Sequence, residues 1–83
     1  MRLLMVDDNV PFLEGMVRSV DWEQFGVIDD VLTAYSMKQA MEILERQEIS
    51  LLVTDIRMDQ GSGLELLEWM NEKNFCFASI IIS

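Results

Sequence analysis

Short runs of apolar residues alternate along this chain with stretches of helical periodicity. Continuous apolar runs at 3–6 and 51–53, each closed by polar residues, predict strands that are buried on both faces. After the first run, apolar residues recur at i, i+3, i+4 and i+7 over 13–20, and Pro11 suits the first turn of a helix. The chain is therefore predicted to begin with a strand followed by a helix.

The middle of the chain repeats this order. A turn-rich segment at 21–26 leads to 28–34, where Asp29, Asp30 and Thr33 interrupt the apolar residues, as is typical of an edge strand. Ser36 with Gln39 three residues later forms a capping box that predicts the start of a second helix. The apolar stripe of that helix is Met37, Ala40, Met41 and Leu44.

The last third adds one more helix and one more strand. After the buried run at 51–53 comes a glycine-containing loop at 59–63, and Ser62 with Glu65 repeats the capping signature. We expect this helix to run to about Asn74 and a fourth buried strand to occupy 75–82, which is apolar apart from Ser79. The order βαβαβαβ predicts a single α/β domain with an open parallel sheet.

Composition narrows the possible chemistry. The chain has 83 residues and a formal charge of -9, with no histidine and one cysteine, Cys76, which we expect to be a buried strand residue. Such a charge disfavours direct binding to nucleic acid or anionic lipid. The apolar start is too short for a signal peptide or a membrane span, so we expect a cytoplasmic protein. Without histidine, His-based zinc sites and catalytic triads are excluded, which leaves carboxylates.

Three carboxylates stand at predicted strand ends. Asp7 and Asp8 follow the first strand and Asp55 follows the third. If those strands are neighbours, the three side chains converge, and their mutual repulsion calls for a cation such as Mg2+, which prefers oxygen ligands. Taken singly, Asp7 or Asp8 is better explained as a turn residue or a helix cap, whereas the pair together with Asp55 favours the cation site.

The segments LLMVDDN, LLVTDIRM and SGLELL, in this order and spacing, resemble the receiver domain of bacterial two-component response regulators. The resemblance covers 1–83, and VDWEQFG is similar to receivers fused to AraC-type DNA-binding domains. It implies a flavodoxin-like (CheY-like) open parallel sheet with strand order 2-1-3-4. It also implies an incomplete receiver domain, lacking the last helix, strand and helix of the family.

The resemblance further implies roles for individual residues. Asp55 would accept a phosphoryl group from a sensor histidine kinase. Asp8 would bind Mg2+ directly and Asp7 through water, with Asp55 and the backbone carbonyl of Arg57 completing the protein ligands. Ser83 would hydrogen-bond the phosphoryl group and couple it to a conformational switch. The chain would then be a signalling module rather than an enzyme, with at most slow self-dephosphorylation, and would control a transcriptional output domain.

The sequence also departs from the family pattern. The lysine of the family's fifth strand has no counterpart here, because Lys38 and Lys73 are predicted to lie on helices, and Asp59 stands where proline is usual. An unpaired fourth strand predicts a homodimer formed through that edge. Two other functions stay open: a Mg2+-dependent phosphohydrolase or phosphotransferase acting on small molecules, and an interaction module that is not phosphorylated.

Overall fold

The computed structural model describes residues 2–26, 31–58, 61–75 and 78–82. Its elements are, in chain order, β1 (Leu3–Val6), α1 (Val10–Ser19), a 3-10 helix (Trp22–Phe25), β2 (Leu32–Ala34), α2 (Met37–Arg46), β3 (Leu51–Asp55), β4 (Arg57–Met58), β5 (Gly61–Ser62), α3 (Gly63–Glu72) and β6 (Ala78–Ile82).

Four strands form a parallel sheet in the order β2-β1-β3-β6. This confirms the predicted order 2-1-3-4, with β6 as the fourth strand of the prediction. Within the sheet, Val6 at the end of β1 lies opposite Thr54 of β3. The residues that follow these two strands therefore emerge side by side at the carboxyl edge of the sheet.

Apolar side chains pack on both faces of the sheet. On one face, α2 and α3 cover a cluster of buried residues: Leu4, Val6, Ala34, Ala40, Leu44, Ile49, Leu52, Leu66 and Met70. On the other face, Leu13 of α1 packs with Leu3 and Met5. All four residues of β1 are buried, as expected for a strand covered on both faces. Among the described helices, none has the length and apolarity needed to cross a bilayer.

The helix starts agree with the predicted caps. Ser36 Oγ accepts a hydrogen bond from the Gln39 N–H at 3.1 Å, and Ser62 Oγ accepts one from the Glu65 N–H at the same distance. These bonds satisfy amide groups that the first turn of a helix leaves without a partner. The two serines therefore fix where α2 and α3 begin.

The end of α3 differs from the prediction. The helix ends at Glu72, and Asn74 adopts a left-handed φ of 63°. The Phe75 N–H donates to the Met70 carbonyl at 2.9 Å, and the rings of Phe75 and Trp69 lie 5.5 Å apart. This is a Schellman-type ending with its hydrophobic contact, so Phe75 belongs to the helix terminus. In the described part of the chain the strand comprises Ala78–Ile82, and Phe75 is not part of it.

Two segments predicted as turns or loops contain regular structure. Residues 22–25 form a 3-10 helix, and the Trp22 Nε1–H donates to the Val17 carbonyl. Within the predicted loop at 59–63, Ser62 belongs to β5, which pairs with β4, and Gly63 is already the first residue of α3. Strand β2 lies at the sheet edge, as predicted. Asp29, Asp30, Asp59, Cys76 and Ser83 lie outside the described residues.

Candidate metal centre

Three carboxylates meet at the carboxyl edge of the sheet. Asp7 and Asp8 directly follow β1, and Asp55 is the last residue of the adjacent strand β3. One carboxylate oxygen from each of the three lies within 4.8 Å of the others. The predicted convergence of these side chains is therefore confirmed.

The cluster fits a small divalent cation. All three residues offer hard oxygen ligands, which Mg2+ prefers, and Mg2+ commonly keeps several waters beside one or two carboxylates. Two oxygens bound to one ion at about 2.1 Å lie at most about 4.2 Å apart, and an intervening water lengthens that reach. Small side-chain rotations, or one water, therefore suffice for these carboxylates to share an ion.

Asp7 is the most enclosed member of the cluster, with 6% of its surface exposed. Burial raises the pKa of Asp7 above its ordinary value, and the negative charges of Asp55 and Asp8 raise it further. The Asn9 N–H donates to Asp7 Oδ1 at 2.9 Å and opposes this pKa shift without cancelling it. A bound cation would favour the charged form of Asp7.

Asp55 is half-buried at the end of β3, and its backbone is held by neighbouring groups. The Thr54 hydroxyl donates to the Asp55 carbonyl oxygen at 3.1 Å. The Arg57 N–H lies 3.5 Å from Asp55 Oδ1, and the Gly63 N–H donates to the Ile56 carbonyl at 3.0 Å. The backbone after Asp55 therefore turns back toward its own carboxylate.

The other predicted site residues are only partly described. Arg57 has an exposed side chain and begins β4, two residues after Asp55. Ser83 lies outside the described residues, but Ile82 just before it is the register partner of Asp55. Lys38 lies on α2 as predicted, whereas Lys73 follows the last residue of α3 as its cap.

Two residues of this edge were not recognised from the sequence. Asn9 caps α1 by accepting the Phe12 N–H, while its own N–H holds Asp7. The spacing from Asn9 to the helical stripe is a typical capping signal and could have revealed it. Gly63 lies against the carbonyl of Asp55, so that a Cβ there would overlap this oxygen. Only the folded structure reveals that contact.

Comparison with known proteins agrees with this geometry. Residues 3–83 match the family model described as "Response regulator receiver domain". The chain belongs to this family, whose members are signalling modules of two-component systems. It is similar to the photosynthetic apparatus regulatory protein RegA of Cereibacter sphaeroides, with 31% identity over 71 residues. That match covers 86% of this chain and 36% of RegA, so the chain spans about a third of the relative's length.

Solved structures show the same fold. A response regulator receiver protein from Pseudomonas putida is 28% identical, with a TM-score of 0.83 over 99% of this chain and 66% of that one. A two component transcriptional regulator AraC from Clostridium phytofermentans is 25% identical, with a TM-score of 0.87 over 98% of this chain and 62% of that one. The predicted receiver fold is confirmed, and receivers of AraC-type regulators are among its neighbours.

Proposed function

We propose that this chain is a phosphorelay module in which Asp55 accepts a phosphoryl group from the phosphohistidine of a sensor kinase, with Mg2+ as cofactor. The convergence of Asp7, Asp8 and Asp55 within 4.8 Å carries the proposal. Membership of the receiver family supports it independently. The absence of histidine from the sequence is no obstacle, because the phosphohistidine belongs to the partner.

The transfer needs few groups from this chain. A carboxylate oxygen of Asp55 attacks phosphorus, the P–N bond of the phosphohistidine breaks, and its electron pair leaves with the imidazole. The product is an aspartyl phosphate, and no further base is required, since Asp55 is already a carboxylate. Mg2+, when bound, neutralises charge on the phosphoryl oxygens.

The ligand roles in this proposal are those that the family resemblance implies. Asp8 would bind the ion directly, and the enclosed Asp7, already tied to the Asn9 N–H, would bind through water. Asp55 and the backbone carbonyl of Arg57 complete the protein ligands in this proposal. Ser83 would hydrogen-bond the phosphoryl group, which the pairing of Ile82 with Asp55 supports.

Intact mass spectrometry tests this function. After incubation with Mg2+ and acetyl phosphate, wild type is expected to gain the mass of one phosphoryl group, and Asp55→Asn to gain none. Asp21→Asn, which changes an exposed carboxylate with no capping hydrogen bond, is the matched control and should be phosphorylated like wild type. An unmodified wild-type chain would refute the proposal. Catalytic release of phosphate from a monoester would instead favour the phosphohydrolase.

An exposed apolar surface next to the carboxylate cluster is a candidate contact surface for the sensor kinase. Val10 and Phe12 in the first turn of α1 are 38% and 43% exposed, and this turn starts two residues after Asp8. We propose that these side chains contact the surface of the kinase around its phosphohistidine. Phe12→Ser should slow phosphorylation by a kinase that acts on wild type, while phosphorylation by acetyl phosphate stays unchanged. Equal slowing with both donors would contradict this docking role.

The proposal also covers where the protein acts, which output domain it controls and whether it forms a dimer. A receiver that serves a sensor kinase would act in the cytoplasm and control a transcriptional domain, as the AraC-type neighbour suggests.

Strand β6 lies at the edge of the described sheet, so pairing between two copies along β6 would form the predicted homodimer. Sedimentation at increasing concentration tests this, and a monomer throughout would exclude the dimer.

A further inference from the structure

We propose that Gly63 is a positioning residue for the metal centre: its missing side chain lets α3 lie directly on the backbone of Asp55, which holds the Arg57 backbone against the Asp55 carboxylate. This inference rests on the proposed function and assigns a role to a residue outside the proposed set of metal ligands.

The contact at Gly63 is unusually close. A Cβ built on Gly63 would overlap the Asp55 carbonyl oxygen and would lie 3.2 Å from Thr54 Cγ2 and 3.3 Å from the Asp55 carbonyl carbon. Thr54 is fully buried and β3 is hydrogen-bonded to strands on both sides, so these atoms cannot move away easily. The φ of Gly63 is not left-handed, so the need for glycine is one of space rather than of backbone conformation.

The same contact closes the segment that carries Arg57. The Gly63 N–H donates to the Ile56 carbonyl at 3.0 Å, and Arg57 pairs with Ser62 across the β4–β5 hairpin. At the other end, the Arg57 N–H faces Asp55 Oδ1 at 3.5 Å. A side chain at position 63 would push α3 away from Asp55, and the hairpin would follow. The Arg57 backbone would then lose its place beside the Asp55 carboxylate.

The first test compares two glycines that both lie in helices. In Gly63→Ala we expect Mg2+ binding, measured by titration calorimetry, to weaken roughly tenfold or more, as for other residues that support metal ligands. The metal-free amide resonances of Asp55 and Arg57 should shift as well. Gly15→Ala is the control, since a Cβ at Gly15 meets nothing within 4 Å, and it should bind Mg2+ like wild type. A folded Gly63→Ala with the Mg2+ affinity of Gly15→Ala would overturn the inference.

A second pair decides the matter if Gly63→Ala does not fold. Ser62→Ala and Ser36→Ala each remove one capping hydrogen bond of 3.1 Å, from α3 and α2 respectively. Both should lose similar stability, but only Ser62→Ala loosens the helix that lies on Asp55 and should weaken Mg2+ binding. Equal Mg2+ affinities in the two variants would overturn the positioning role. Failure of wild type to bind Mg2+ would instead refute the proposed function.

Discussion

Ile82 of β6 lies directly opposite Asp55 of β3 in the parallel register. The next residue along the chain is Ser83, which we propose to hydrogen-bond the phosphoryl group on Asp55. This register is the structural basis for the role proposed for Ser83.

We predict that Ser83→Ala weakens binding of beryllium fluoride, a phosphoryl mimic, in the presence of Mg2+. Loss of one hydrogen bond to a charged group costs about 1.5–3 kcal/mol, which corresponds to a decrease in affinity of roughly tenfold or more. The affinity is measured from the rise in melting temperature as the mimic is added.

Ser79→Ala is the matched control for this prediction. Ser79 lies on the same strand but pairs with Leu52, away from the carboxyl edge, and it is exposed. It should bind the mimic with wild-type affinity. Equal affinities for Ser83→Ala and Ser79→Ala would show that the hydroxyl of Ser83 has no part in phosphoryl recognition.

Stability without metal should fall as the pH rises through the titration of Asp7. Burial and the neighbouring carboxylates raise the pKa of Asp7 in the folded chain above its ordinary value of 3.8, so the folded state holds this proton more tightly than the unfolded state. The resulting stabilisation is complete below the unfolded pKa and is lost as the pH rises through the folded pKa. Urea denaturation from pH 3 to 8, at roughly one-unit intervals, measures this dependence.

Asp7→Asn should remove this pH-dependent loss and leave the metal-free chain more stable than wild type at neutral pH. An asparagine oxygen can still accept the Asn9 N–H, so the local hydrogen bond is retained. The exposed Asp21→Asn should leave the profile unchanged. If metal-free Asp7→Asn is less stable than wild type at about pH 7, burial and charge repulsion do not explain the pH dependence of stability.

The buried face of α3, which packs on the sheet, should contribute far more to the stability of the protein than the exposed face of that helix. Leu66 is fully buried among the core residues, whereas Leu64, two positions earlier, is 51% exposed. Leu66→Ala should therefore lower the free energy of unfolding by about 2–5 kcal/mol. Leu64→Ala should change it by less than about 0.5 kcal/mol. Chemical denaturation of the two variants checks this. Similar losses of unfolding free energy in both variants would show that Leu66 is not part of the hydrophobic core.

The sequence predicted those features that depend on local patterns. The buried runs at 3–6 and 51–53 identified central strands, and Ser36 and Ser62 identified helix starts, because capping chemistry involves neighbours three residues apart. Strand order came from the family resemblance, since periodicity does not reveal which strands pair. The aspartates could be grouped because parallel strands end at one edge.

Other features depend on contacts that a linear pattern does not display. The β4–β5 hairpin has two-residue strands, which are too short to show alternation, and β5 falls within the segment predicted as a loop at 59–63. Phe75 was assigned to a strand because it adjoins an apolar run, but its hydrogen bond to Met70 and its ring contact with Trp69 place it at the helix end. The closeness of Gly63 to Asp55 arises only when α3 packs on the sheet.

The most direct measurement is calorimetric titration of Mg2+ into wild type and Asp8→Asn, with Asp21→Asn as control. Asp8 lies in the carboxylate cluster, whereas Asp21 follows α1, at the far end of that helix from the cluster. The account predicts one Mg2+ bound by wild type and by Asp21→Asn, with binding lost or severely weakened in Asp8→Asn. Undiminished Mg2+ binding by Asp8→Asn, or no binding by wild type, would contradict the central claim that Asp7, Asp8 and Asp55 share one ion.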